Sequence, residues 1–260
     1  MSLRYVTTNL INSTTLPDNT YVSTEDETYL VANLYNKRPS RPFRFTARAA
    51  QTIKVELAAK TAASFVGIFN HNIPDGETLN LQGADADAGY VAVTTPTWRE
   101  KDVCSCFRTV SWTWWLLNVG VQVGDPLPQI GEFVLGSWIE FADAWVQPGR
   151  KDGPAFYVGR QKTHYGQEWA THLSNTERFS IQIKNLNNPA VIDDLQTFLV
   201  NVFENSDGKF ILIPDHTKPH CYYVQVTNDD NFANREIYGT NELRNWRLEL
   251  ETLTRGITLL

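Results

Sequence analysis

FVGIFNHNIPDGETLNLQG, residues 65–83, decides how the chain is read. An apolar run, Phe65 to Phe69, stops at Asn70-His71-Asn72. A turn signal, Pro74-Asp75-Gly76, follows at once, and then the alternating run TLNLQG begins. A neutral histidine works as a base only beside a nucleophile or an orienting acid, and neither is local. Asparagine amides both donate and accept, which suits them to tying backbone where a ladder ends. Asn70-His71-Asn72 is therefore read as the corner of a sheet and not as catalytic machinery.

The same period of two extends on both sides. Ile53, Val55 and Leu57 alternate in QTIKVELA, Leu79 and Leu81 follow the Gly76 turn, and Tyr90, Ala92 and Thr94 suggest a further strand. SWTWWLLNVGVQVG, 111–124, reads as one strand with Trp112 and Trp114 on one face, Trp115 on the other, and Val119, Val121 and Val123 continuing. FVLGSWIEFADAW, 133–145, is another, interrupted by Gly136. Short strands separated by frequent turn signals predict a β-sandwich or jelly roll over 1–147.

VQPGRKDGPAF, 146–156, is rich in proline, glycine and charge and reads as a linker, placed at 148–155. A second domain, 156–260, opens with strands and holds one strong helix, about 189–204. Asn188 is its expected cap and Pro189 its first residue. Ile192, Leu195, Leu199 and Val202, with Phe198 beside them, form its apolar stripe, and Asp207-Gly208 closes it. RFSIQIKNL, FILIP, CYYVQV and NWRLELETL read as strands. The fold class is mainly all-β, a jelly roll followed by a β-sheet domain with one packed helix.

The 260 residues carry a net charge of −6, with eight tryptophans and 12% aromatics. An acidic chain without basic runs argues against nucleic-acid binding. No apolar run approaches the ~20 residues that cross a bilayer, so membrane insertion is not expected. The amino terminus has no signal-peptide pattern. Three cysteines, with Cys104 and Cys106 two apart and Cys221 remote, give no CxxC pair, and free thiols in a reducing compartment are the expectation.

Few residues point to chemistry. His216 and His220 have an HxxxH spacing, but Pro214 and Pro219 bracket them and remove the helical meaning of that spacing. Asp85 and Asp87 in GADADAG are a minor calcium candidate without the ligand spacing of an EF-hand loop. Arg38, Arg41 and Arg44 recur every third residue with Phe43 and Phe45 interleaved, and either meet an acidic partner or pair with the chain's own excess acids. Trp112, Trp114 and Trp115 can stack on sugar rings, fill a core or anchor an interface. No nucleophile elbow, phosphate loop, dinucleotide fingerprint or zinc-protease motif is present, so no enzyme activity and no catalytic residue, cofactor or metal is assigned.

Residues 23–89, from STEDETYLVANLYNKRPSRPFRF through FNHNIPDGETLNLQGADADAG, resemble the galactose-binding-like (discoidin-type) jelly roll found in phage tail proteins, with LGSWIEF, 135–141, as the closing strand. TERFSIQIKNLNNPAVIDDLQTFLVNVFENSDGKFILIPD, 176–215, with CYYVQV and WRLELETLTRG, is similar to the carboxy-terminal part of minor tail and baseplate proteins of long-tailed phages. The resemblance implies a structural, non-enzymatic component of a virion tail tip or baseplate. It would be made in the host cytoplasm, form a homo-oligomeric ring and contact tail-tube and hub proteins. The alternative is a carbohydrate-binding module that attaches to host-surface glycans. Under both, Trp112, Trp114, Trp115, Arg38, Arg41 and Arg44 are the candidate contacts.

Overall fold

The computed structural model describes residues 3–16, 21–74, 77–99, 102–123, 126–141, 144–147, 155–162, 168–176, 178–184, 189–204, 206–215, 220–227 and 245–253. The amino-terminal strands are β1 (Leu3–Val6), β2 (Phe43–Arg44), β3 (Gln51–Phe69), β4 (Leu79–Ala84), β5 (Val91–Thr94), β6 (Thr97–Arg99), β7 (Asp102–Val119), β8 (Gln129–Ile130), β9 (Glu132–Gly136) and β10 (Ile139–Phe141). The remaining elements are β11 (Ala144–Gln147), β12 (Ala155–Lys162), β13 (Glu168–Thr176), β14 (Arg178–Lys184), α1 (Pro189–Leu199), β15 (Lys209–Asp215), β16 (His220–Val226) and β17 (Asn245–Thr252). The described residues are thus mostly β with one α-helix, as expected. Its contacts divide it into two units. One comprises Arg4–Glu140 with Ile211–Tyr222, the other Met1–Leu3, Phe141–Phe210 and Tyr223–Leu260. Most of the region expected to be the linker, 148–155, lies outside the described residues.

The first unit is the β-sandwich. Antiparallel strands in the order β5-β4-β7-β3-β9 form its main sheet, with β6 also paired to β7. Alternation sends Ile53 and Val55 of β3, Leu79 and Leu81 of β4, and Trp115, Leu117 and Val119 of β7 to one face, where all are buried. Ile11, Leu16, Val22, Val31, Leu34, Phe43 of β2 and Ile130 of β8 cover that face and complete one core. Two expected strands differ in extent. The runs QTIKVELA and FVGIF are parts of one strand, β3. Strand β7 ends at Val119, short of Val121 and Val123, because the backbone leaves the ladder there. Gly120 N–H donates to the Thr78 carbonyl and Gln122 N–H to that of Arg48, which leaves Val121 and Val123 exposed.

The quoted corner is built as its amides suggest. Strand β3 stops where Asn70 takes a left-handed conformation, φ 50°, which asparagine tolerates better than most residues. Asn70 Nδ2 donates to the Pro39 carbonyl at 2.7 Å, and Asp102 Oδ1 accepts from Asn70 N–H. Asn72 Nδ2 donates to the Leu127 carbonyl at 2.8 Å, and its Oδ1 accepts from Gln129 N–H at 2.7 Å. The two asparagines therefore fasten three separate segments to the strand end. His71 between them is 5% exposed, and burial depresses its pKa to about 4, against a weaker opposing effect of hydrogen bonding at the Ile73 backbone. It is neutral at physiological pH and closed to solvent.

In the second unit the apolar positions read from sequence meet in register. Phe179, Ile181 and Ile183 of β14 pair with Leu250, Leu248 and Trp246 of β17. Strand β11 extends this sheet beside β14, and β12 pairs with β13. Helix α1 continues as a wider turn over Val200–Glu204, together spanning the expected 189–204. Its buried stripe is Val191, Leu195, Phe198 and Val202, with Leu199 only half-buried. Phe198 packs between Phe141 and Phe210, at ring centroids of 5.8 and 5.6 Å. The helix closes as expected, with Asp207 and Gly208 both at positive φ and Gly208 N–H donating to the Val202 carbonyl. The expected cap, Asn188, lies outside the described residues.

The cysteine reading is corrected. Cys104 of β7 and Cys221 of β16 form a disulfide within the first unit, their Cα atoms 6.6 Å apart across 117 residues of sequence, and Cys106 is the free thiol. Local spacing could not show this, because the fold supplies the partner from a distant strand. A crosslink that closes so long a loop restrains the unfolded chain, by about 3–5 kcal/mol in the loop-entropy account. Reduction, or Cys104→Ala, is expected to lower the unfolding free energy of the oxidised protein by that amount in urea titrations, whereas Cys106→Ala lowers it by less than half as much.

A second prediction concerns His71. The unfolded chain takes up its proton near pH 6.5, the folded chain only near pH 4. Stability from the neutral ring is complete above pH 6.5 and is lost as pH falls toward 4. Between pH 7 and 5 the loss is about 2 kcal/mol. Urea titrations at both pH values should show it in the wild type, and His71→Gln should remove that part of the slope.

Candidate functional site

The face of the main sheet turned away from the core carries the candidate site. Across it, Lys54 of β3 lies level with Leu116 of β7 and Gln82 of β4, and Glu56 lies level with Trp114 and Ala84. Tyr21 reaches this row because Val22 bridges to Ile53 at the edge of β3. Its ring lies nearly parallel to Trp114, with centroids 6.2 Å apart and planes 11° apart. Tyr21 Oη donates to Glu56 Oε2 at 2.7 Å. Both rings are half-buried. The result is an aromatic pair with a carboxylate fixed at its edge.

The loop after β4 folds onto this face. Lys54 Nζ meets both carboxylate oxygens of Asp87, at 2.8 and 2.9 Å, and Lys60 Nζ meets those of Asp85, at 2.8 and 3.0 Å. Tyr90 Oη donates to Asp87 Oδ1 at 2.7 Å. The hydrogen bonds from Lys54 and then Tyr90 hold the Asp87 carboxyl below the usual range, while burial first and Asp87 second push the Tyr90 phenol up. With Lys60 and Asp85 more than half exposed, each ion pair is worth at most about 1 kcal/mol. Together they fix the loop over β3, and the Lys54–Asp87 pair sets polar groups on the Trp114 face.

The candidate residues separate in the structure. Trp115 is fully buried in the core. Trp112 shares Trp115's side of the sheet, packing against the core cluster with Lys60 Nζ 5.1 Å above its ring. The expectation that Trp112 and Trp114 share a face is therefore corrected. Pairing steps from Glu56–Trp114 to Thr61–Trp112, so β3 bulges by several residues while β7 advances two, and the core-facing positions of β7 change parity. Only Trp114 of the three looks outward.

Arg44 is held by Asp26 at 2.7 Å and lies 3.9 Å over the Tyr29 ring. It sits on β2, in the layer that covers the sheet's inner face, not beside Trp114. Its pairing is the one expected between this segment and the chain's own acids. Arg38 and Arg41 are exposed at the two ends of a turn, where Arg41 N–H donates to the Arg38 carbonyl. The calcium candidates Asp85 and Asp87 are engaged by lysines. Among the described residues, no three His, Cys, Asp or Glu side chains are grouped to hold a metal ion. His216 lies outside the described residues, and His220 opens β16.

Sequence reasoning missed Tyr21, Lys54, Glu56, Lys60 and Tyr90. Lys54 and Glu56 alternate with Ile53, Val55 and Leu57, so their outward direction was readable. Tyr21 had no such signal, since only the bridge at Val22 brings it to the sheet.

No protein-family model matches the chain, and no curated protein does. Solved structures similar to part of it are carbohydrate-binding proteins and enzymes. One is chitosan-binding module 1 of a chitosanase/glucanase from Paenibacillus sp. IK-5, with 12% identity, 44% of this chain and 90% of that one covered, and a TM-score of 0.39. Another is a Clostridium perfringens module in complex with GalNAc-β-1,3-galactose, with 13% identity, 44% and 91% covered, and a TM-score of 0.39. A third is a Ruminococcus gnavus fucosidase in complex with fucose, with 14% identity, 48% of this chain but 28% of that one covered, and a TM-score of 0.40.

The packing of Trp112 makes a prediction at Gly83. A Cβ at that position would overlap the Trp112 ring. Gly83→Ala is expected to cost about 1–3 kcal/mol in thermal or urea unfolding, with a shift in tryptophan emission as the ring is displaced.

Proposed function

We propose that this chain is a non-catalytic glycan-binding module whose β-sandwich holds sugar against Trp114 and Tyr21. The observation that carries the reading is the near-parallel pair of half-buried rings with the Glu56 carboxylate at its edge. The C–H face of a pyranose packs against an aromatic face, and sugar hydroxyls need a few fixed polar partners to set their orientation. Glu56 accepts hydrogen bonds, and Lys54, Asp87 and Tyr90 add further groups within the same face. No step of bond cleavage is part of this reading.

A second reading, a structural component of a phage tail tip, is supported by the sequence resemblance and by Val121 and Val123, which are 57% and 81% exposed side by side beyond β7. Neighbouring exposed valines suit a protein–protein contact. This reading predicts a closed ring in light scattering and negative-stain microscopy of the purified chain. A monomer that binds sugar counts against it.

The glycan reading is tested by a glycan array followed by calorimetry. Saturable, sub-millimolar binding is expected, weakened by about tenfold or more in Trp114→Ala. Arg44→Ala, on the other layer, is expected to leave the affinity unchanged. Absence of saturable binding by the folded protein across the array overturns the reading.

A further inference from the structure

We propose that the Trp114 face selects sugars bearing a free amine and rejects acidic sugars; this rests on the glycan reading. Three charged side chains lie on this face, the carboxylates of Glu56 and Asp87 and the ammonium group of Lys54. The ammonium group of Lys54 is engaged by Asp87. Glu56 is the exception among the carboxylates. Among the described residues its side-chain partner is the neutral phenol of Tyr21, so its charge is solvated but not cancelled. The face therefore presents one uncompensated negative charge, at the edge of two aromatic rings, on a chain whose net charge is −6.

A uronate or sialate placed on the rings would meet Glu56, and among the described residues the cation of this face, Lys54, is already paired with Asp87. To gain that cation it would have to displace Asp87 and loosen the loop that the ion pair helps to hold. A hexosamine with a protonated amine meets the opposite situation. Its ammonium can pair with Glu56 and lie against the faces of Trp114 and Tyr21, where the ring quadrupole attracts a cation. A neutral, N-acetylated sugar keeps the stacking and loses the charge pairing, so it ranks between the two. Charge pairing and cation–π attraction together correspond to a preference of about tenfold for the free amine at low salt.

The experiment is calorimetry on the whole chain at pH 6 with three oligosaccharides of equal length: a glucosamine oligomer, its N-acetylated form and a uronic-acid oligomer. The expected order is free amine, then acetylated by about tenfold weaker, with the uronate weakest, and the gap narrows in high salt. Glu56→Gln keeps an acceptor for Tyr21 and removes the charge. It is expected to bring the amine and acetyl forms within about twofold of each other. Equal or tighter binding of the uronate, or an amine preference that survives Glu56→Gln, overturns the inference. If the neutral oligomer binds in a Trp114-dependent way without any amine preference, only the inference fails. If none of the three binds and the array is also silent, the glycan reading fails with it.

Discussion

The pairing of β3 with β7 is the constraint on which the rest of the sandwich depends. These are the two longest strands, 19 and 18 residues, and they lie side by side at the centre of the main sheet. Every core residue of that sheet is addressed through their register. Because side chains alternate with a period of two, a change in that register moves a residue from one face to the other. The irregularity between Glu56 and Thr61 does this once, and it does so among the tryptophans.

That single irregularity divides three aromatic residues among different tasks. Trp115 and Trp112 go to the core, one fully buried and the other lying over Gly83. Trp114 stays on the outer face, where Tyr21 meets it. A straight ladder would put Trp112 and Trp114 together outside and leave the core end short of a large ring. The bulge thus supplies volume to the core and leaves one aromatic surface outside. The Lys54–Asp87 pair, with Tyr90 bonded to Asp87, then adds polar groups to that surface.

The end of the sandwich where β3 stops and β7 starts is secured by two kinds of physics. At the end of β3, neutral amides of Asn70 and Asn72 satisfy backbone groups that the ladder no longer reaches, and they do so at full strength regardless of pH or salt. Near Cys104, a covalent bond joins β7 to a strand from the far end of the sequence. Residues 211–222 follow the helix of the second unit but belong to the first, where Cys221 is bonded to Cys104 and β15 pairs with β1 through Ile211, Leu212 and Ile213.

Much of the architecture was legible because alternation, turn residues and a capped helical stripe are local signals. Ile53-Val55-Leu57, Leu79-Leu81, the alternating runs that become β14 and β17 and the helix from Pro189 through Glu204 follow from them, as does the corner at Asn70-His71-Asn72. What the tertiary structure alone decided is non-local. The Cys104–Cys221 pairing, the approach of Tyr21 to Trp114 and the capture of Asp85 and Asp87 by lysines each join residues far apart in sequence. The exchange of faces between Trp112 and Trp114 is of the same kind. The period of two was present in the sequence, but where it breaks depends on how many residues the facing strand inserts, and only the paired strands together fix that number.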